Sequence, residues 1–199
     1  MPIFNLITQN YNFDSKIVAG LERLSQVFKI LLWEKAKEKG LSPIQIQILI
    51  FIQHHSIEKT TVSYLAKEFN VTKPTVSDAI KILEQKYLIE KFSDAKDFRS
   101  YVIKLTETGK KIVAETEDFP DPITAILSQT DENEKEIIWN MISDLIIKLN
   151  RSDVINVQRT CYNCKFYAND GIEHYCNFLN IILKNRDIRI DCPEFENKY

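Results

Sequence analysis

Glycine is scarce in this chain, with only 4 among 199 residues. That leaves little room for a long flexible linker or for a glycine-rich loop that cradles phosphate, since both need several positions free of a Cβ. No segment reaches the roughly 18 consecutive apolar residues that a membrane span requires. The start of the chain also lacks a basic stretch followed by an apolar block, so a cytoplasmic protein without membrane contact is expected. There is no excess of positive charge of the kind that coats nucleic acid indiscriminately: 26 Lys plus Arg stand against 28 Asp plus Glu, a net charge of -2. Internal repeats, low-complexity tracts and the spacing of a catalytic triad are missing as well, and no enzyme is expected. Cysteine is the most unevenly used residue: there are 4, all beyond position 160.

What is present is 44% hydrophobic residues, enough for one sizeable core plus an appendage. The positive charge is local. Between positions 58 and 111 there are 11 Lys plus Arg against 8 Asp plus Glu, leaving +3 there and -5 over the remainder. Phosphate neutralisation follows the contacts made rather than the overall charge, so a modestly basic face on an acidic body suits specific binding of duplex DNA.

The same stretch has the order of a winged helix-turn-helix. In residues 61–70, Val62, Leu65, Ala66 and Phe69 recur at i, i+3, i+4 and i+7 and give a short amphipathic support helix, with the small Ala66 where a second helix must cross closely. A tight Val71-Thr72 link follows. Thr72 is a good N-cap, and Pro74 falls in the first turn, where its missing N–H costs nothing. The second helix is expected over 73–86, with Val76, Ala79, Ile80, Leu83 and Tyr87 inward. Thr72, Lys73, Thr75, Ser77, Asp78 and Lys81 remain outward, and hydroxyls, cations and free helix N–H groups suit phosphate oxygens and base edges. Two β-prone runs, Ile89-Glu90-Lys91-Phe92 and residues 100–105, flank a charged tip and complete a wing over 89–105.

These motifs resemble the MarR family of bacterial transcription regulators across residues 41–113. Ser42-Pro43-Ile44-Gln45-Ile46-Gln47-Ile48-Leu49 is similar to the family's helix before the reading head, and Thr75-Val76-Ser77 to its recognition helix. Asp97-Phe98-Arg99 and then Leu105-Thr106-Glu107-Thr108-Gly109 are similar to its wing and wing exit. The resemblance implies DNA contacts from Thr72, Lys73, Thr75, Ser77, Lys81, Lys96 and Arg99. Arg99 would enter the minor groove, and Asp97 would brace the wing. Asp78 stands where the family often has a basic or amide side chain, and Tyr87 where it often has glycine.

Residues 14–39 form a long amphipathic helix whose Ile17, Val18, Leu21, Leu24, Phe28, Leu31 and Leu32 share a face. Residues 131–149 repeat the pattern with Ile137, Ile138, Met141, Ile142, Leu145, Ile146 and Leu149. A second copy of the chain is the simplest cover for both stripes, and the resemblance likewise implies a homodimer built from the terminal helices. Two-fold pairing would set two recognition helices roughly 34 Å apart, so a near-palindromic operator is expected. Phe119-Pro120-Asp121-Pro122 should bend the chain between reading head and terminal helices.

The cysteines follow the spacing C-x2-C-x11-C-x15-C, at Cys161, Cys164, Cys176 and Cys192. Disulfides fit a cytosolic chain poorly, whereas a C-x2-C knuckle and two further thiolates make a tetrahedral metal set. The surrounding segment, with Tyr162, Phe166, Tyr167, Tyr175, Phe178 and Phe195, has few aliphatic residues for a core of its own, so an ion would supply much of its folding free energy. One structural zinc per chain is the favoured expectation. An iron–sulfur cluster is the alternative, since Cys192-Pro193 is similar to a ferredoxin habit. His174 could replace a thiol, while His54 and His55 read as surface or capping side chains.

The expected architecture is mainly α with a small β wing. Residues 1–40 would be an N-terminal dimerisation helix region, 41–113 the winged helix-turn-helix, 114–155 the C-terminal dimerisation helices and 156–199 a Cys-rich metal-binding module. The expected function is a homodimeric DNA-binding transcription regulator, a repressor by preference. Similar proteins release DNA when small, often aromatic effectors enter the cleft between dimer helices and head, or when cysteines are oxidised. The alternatives are a protein-interaction adaptor and a redox or iron–sulfur protein, each using the winged helix for protein contacts.

Overall fold

The computed structural model describes residues 3–93, 101–171 and 173–198. Its elements run α1 (Leu6–Tyr11), α2 (Phe13–Glu38), α3 (Pro43–His54), α4 (Val62–Glu68), α5 (Lys73–Gln85), β1 (Ile89–Ser93), β2 (Tyr101–Leu105), α6 (Glu107–Ala114), α7 (Asp121–Ser128) and α8 (Glu132–Arg151). Three short strands follow, β3 (Tyr167–Asn169), β4 (His174–Cys176) and β5 (Ile181–Leu183), forming a separate antiparallel sheet in that order. The chain is thus mainly helical with a two-stranded wing.

Side-chain caps explain most helix starts. Asn12 Oδ1 accepts the Ser15 N–H (2.8 Å) to open α2, Thr61 caps α4 through the Tyr64 N–H (3.2 Å), and Thr106 caps α6 through the Gly109 N–H (3.0 Å). Pro43 occupies the first turn of α3, and the Gln45 side chain reaches back to accept the Ser42 N–H (2.8 Å).

The core lies within the reading head. Ile46, Ile48, Leu49, Leu65, Val76, Ile80, Leu83 and Ile103 are fully enclosed, each worth about 1.5–3 kcal/mol of burial. They come from α3, α4, α5 and β2, so the support helix, the second helix and the wing share one interior. The wing root is fixed further by Thr60, whose buried hydroxyl accepts the Ile103 N–H (3.2 Å) and donates to Ile57 O (2.8 Å).

At the exit of β2, the backbone of α6 presses on the end of α5. A Cβ built on Gly109 would stand 2.0 Å from Leu88 O, so only glycine fits. The Thr106 hydroxyl donates to Tyr87 O (2.7 Å), and the Thr106 N–H to Leu88 O (3.1 Å). Tyr87 itself has φ 57° and is 80% exposed, which corrects the inward orientation expected from helical periodicity. The helix has ended by this point, and a left-handed residue turns the chain into β1. That conformation also accounts for a glycine being common there in the resembled family.

After α6 the helix stops at Ala114, and Pro120 and Pro122 open α7 rather than bending a continuous helix. Lys35 to Asp118 (2.9 Å) and Lys39 to Glu115 (2.7 Å) tie α2 to this connection. Both terminal helices carry exposed apolar faces: Val18, Leu21, Leu24 and Phe28 on α2, and Ile137, Ile138, Met141, Ile142 and Leu149 on α8.

Candidate nucleic-acid interface and cysteine cluster

Thr72 begins α5 with β-region backbone, and its hydroxyl oxygen accepts the Thr75 N–H (3.3 Å) while pairing with the Thr75 hydroxyl (2.8 Å). Cross-linked in this way, the two hydroxyls have fixed positions at the helix N-terminus, where free N–H groups and the helix dipole favour an anion. Val76, Ala79, Ile80 and Leu83 are buried beneath them. That burial leaves Thr72, Lys73, Thr75, Ser77, Asp78 and Lys81 together on the exposed side. Asp78 adds a negative group to this face, suited to accepting a hydrogen bond from a base amine rather than to meeting phosphate.

Beside it, β1 and β2 pair antiparallel from Ile89↔Leu105 to Ser93↔Tyr101. Lys91 pairs with Glu84 of α5 (2.5 Å) and lies over the Tyr101 ring (5.1 Å), while Lys104 lies over Phe92 (4.8 Å). These contacts fix the wing's direction relative to α5. Lys96, Asp97 and Arg99, expected from the sequence at the wing tip, lie outside the described residues.

The four cysteines come from three segments. Cys161 and Cys164 bracket a 3-10 turn closed by the Cys164 N–H on Cys161 O (2.9 Å), Cys176 ends β4, and Cys192 follows a segment bridged to Arg159. All four are free thiols lining one cavity of ≈ 20 Å³. Burial pushes the Cys161 and Cys192 thiols above their ordinary pKa. Among the described residues, however, no three His, Cys, Asp or Glu side chains are grouped so that they could hold a metal ion. Cys192 Sγ donates to Glu194 Oε2 (3.3 Å) and accepts from Arg189 Nη1 (3.5 Å). His174 is held by Tyr167 Oη (2.5 Å) and Asn169 Nδ2 (2.7 Å) and does not line the cavity.

One group of residues was not legible in the sequence. Arg159, 5% exposed, sits between two carboxylates. It donates to Asp191 through Nε (2.5 Å) and Nη2 (2.7 Å), and to Glu68 of α4 through Nη1 (2.6 Å) and Nη2 (3.1 Å). Its Nη1 also donates to Tyr64 Oη (2.9 Å). His55 Nε2 reaches Asp191 Oδ2 (2.8 Å) and the ring stacks on Phe51 at 3.7 Å, so His55 does more than cap a helix. Burial alone would raise the Asp191 carboxyl, but the Arg159 and His55 bonds outweigh it and hold that group well below the usual carboxylate range. Asn156 Nδ2 donates to Asn70 Oδ1 (2.8 Å), a second link to the turn between α4 and α5. The cysteine-bearing segment is therefore docked on the support helix of the reading head.

A family pattern described as MarR family matches residues 39–100. The HTH-type transcriptional repressor YetL of Bacillus subtilis is 26% identical over 160 residues, covering 75% of this chain and 94% of that protein. Transcriptional regulator AdcR of Streptococcus pneumoniae is 27% identical over 122 residues, covering 59% and 82%. Among solved structures, the S. aureus MepR–DNA complex matches with a TM-score of 0.59 at 28% identity, covering 66% of this chain and 97% of that one. MepR in its DNA-binding conformation matches equally well, at 0.59 and 27% identity, covering 67% and 98%. Nearly all of MepR is accounted for, but only two thirds of this chain.

Proposed function

We propose that this chain, which matches the MarR family pattern over residues 39–100, is a winged-helix transcription regulator of that family and a homodimeric repressor of a near-palindromic operator. The observation that carries this reading is the exposed N-terminal face of α5. Thr72, Lys73, Thr75, Ser77 and Lys81 stand there together, and the wing is fixed beside them. Lys73 and the capped N-terminus meet phosphates, the hydroxyls reach base edges in the major groove, and Lys96 and Arg99 belong to the wing that follows the minor groove.

Pairing of two chains follows from the apolar faces of α1, α2, α7 and α8. Leu6, Ile7, Tyr11 and Phe13 are more than two-thirds exposed, and so are Ile126 and Ile137, a quantity of apolar surface that a soluble chain covers with a partner. A second copy supplies the matching stripe, and its two-fold axis directs two α5 helices toward half-sites one turn of DNA apart. Repression is the favoured sense because the relative YetL is a repressor. An effector would act by changing the angle between the dimer helices and the head, at the α6–α7 connection held by Lys35 and Lys39.

The test is selection of bound duplexes from a random pool with the full chain, followed by footprinting. Two inverted half-sites protected about one helical turn apart are expected. A single unpaired site, or no enrichment, contradicts the reading.

A further inference from the structure

We infer that the seam between the reading head and the C-terminal segment, bounded by α4, the end of α8 and the chain around Gln158, binds a small polyanion that also carries a hydroxyl or amino group. This site does not depend on the DNA-binding reading above.

A cleft of ≈ 750 Å³ runs along that seam. Lys59, Lys67, Arg151, Arg159 and Lys198 line it, and among the described residues no aspartate or glutamate does. Arg159 already pairs with Glu68 and Asp191. The other four cations stand in no ion pair among the described residues. They are gathered from separate places: Lys59 precedes α4, Lys67 belongs to it, Arg151 ends α8 and Lys198 lies beyond the last cysteine. Like charges brought around one cleft by tertiary docking repel each other, and a bound anion relieves that repulsion.

The cleft offers more than charge. The half-buried rings of Tyr64, Tyr162 and Phe195 wall it. Gln158 Oε1 is buried there without a donor among the described residues. A buried carbonyl left without a donor is costly, and a ligand hydroxyl or amine satisfies it. Arg151 and Tyr162 also line a second cleft of ≈ 410 Å³, which continues the seam along α8. Ser143 lines that continuation; the residue is 8% exposed, and its Oγ is likewise buried without a partner. Both buried side-chain polar atoms that lack a partner among the described residues therefore lie on this one seam.

Duplex DNA is the competing polyanion. Its backbone phosphates carry no hydrogen-bond donor for Gln158, and a concave seam between two parts of a chain is where small molecules are held. An occupant would touch α4 and the C-terminal segment at once, adding to the tie that Arg159 makes with Glu68.

The test is isothermal titration calorimetry of the full chain at low salt with two probes, citrate for the carboxylate class and ribose 5-phosphate for the phosphate class. Each carries hydroxyl donors. Saturable binding of one of them at one site per chain is expected, with slower amide exchange in α4 and in residues 156–163. Arg151 and Lys198 are exposed, so changing both to alanine spares the fold and should weaken the bound probe at least about tenfold. Gln158→Leu keeps the side-chain size without the acceptor and should weaken it about fivefold. No saturable binding of either probe up to about 10 mM overturns the site. Binding that both variants leave unchanged overturns it too, as does slowed exchange confined to α2 and the wing. A wild type that takes neither probe, with duplex affinity lost in the double alanine variant, assigns these cations to DNA instead.

Discussion

Arg159 and Glu68 form a two-pronged ion pair, at 2.6 and 3.1 Å, across 91 residues of sequence. The guanidinium is almost fully enclosed and the carboxylate is mostly so, and the pair joins the cysteine-bearing segment to the first helix of the reading head. Removing one partner of such a pair leaves an uncompensated charge. Arg159→Ala is expected to destabilise the chain by roughly 3 kcal/mol in urea unfolding and to expose residues beyond 155 to limited proteolysis. Loss of less than about 0.5 kcal/mol would show that the pair contributes little.

Gly109 makes a second, sharper prediction. A methyl group there meets Leu88 O at 2.0 Å, and the backbone on both sides is held by Thr106, whose N–H donates to Leu88 O (3.1 Å) and whose hydroxyl accepts the Gly109 N–H (3.0 Å). Gly109→Ala should lower stability by about 1–3 kcal/mol and shift the wing relative to α5. Wild-type thermal stability in that variant would mean that α6 does not press on Leu88 as described.

The cap of α5 is testable separately from DNA contact. Thr72→Ala removes the acceptor for the Thr75 N–H and should cost about 1 kcal/mol of stability, whereas Thr72→Ser should restore it. Operator affinity that falls in the alanine variant and recovers in the serine variant assigns the effect to the hydroxyl.

Chain pairing is tested on α8. Ile138 and Met141 are exposed on the face expected to meet the second copy. A double change to glutamate buries two charges in that interface and should convert dimer to monomer in sedimentation equilibrium. A wild type that is itself monomeric at micromolar concentration contradicts the dimer.

Much of the reading head was legible because its signals are local. The apolar spacing of Leu65, Ala66, Val76, Ile80 and Leu83 and the capping threonines each act within one helical turn, and the helices start and stop within about two residues of where those signals place them. Tyr87 was misjudged because periodicity continues to assign a face after the helix has ended, whereas its positive φ is set by the turn into β1. The cysteines' shared cavity follows from their spacing. The Arg159 anchor does not, since its partners His55, Glu68 and Asp191 are paired by tertiary docking and stand at no characteristic interval. A lone basic residue two positions before a C-x2-C was the only hint.

The central claim is that α5 and the wing read duplex DNA together. The most direct measurement is fluorescence anisotropy of the selected palindromic duplex against salt, for the wild type, Lys73→Ala and Arg99→Ala. Each variant should bind more weakly, with the log–log salt slope reduced by about one for each phosphate or groove cation removed per bound chain. Affinity and salt slope unchanged in both variants would contradict the account.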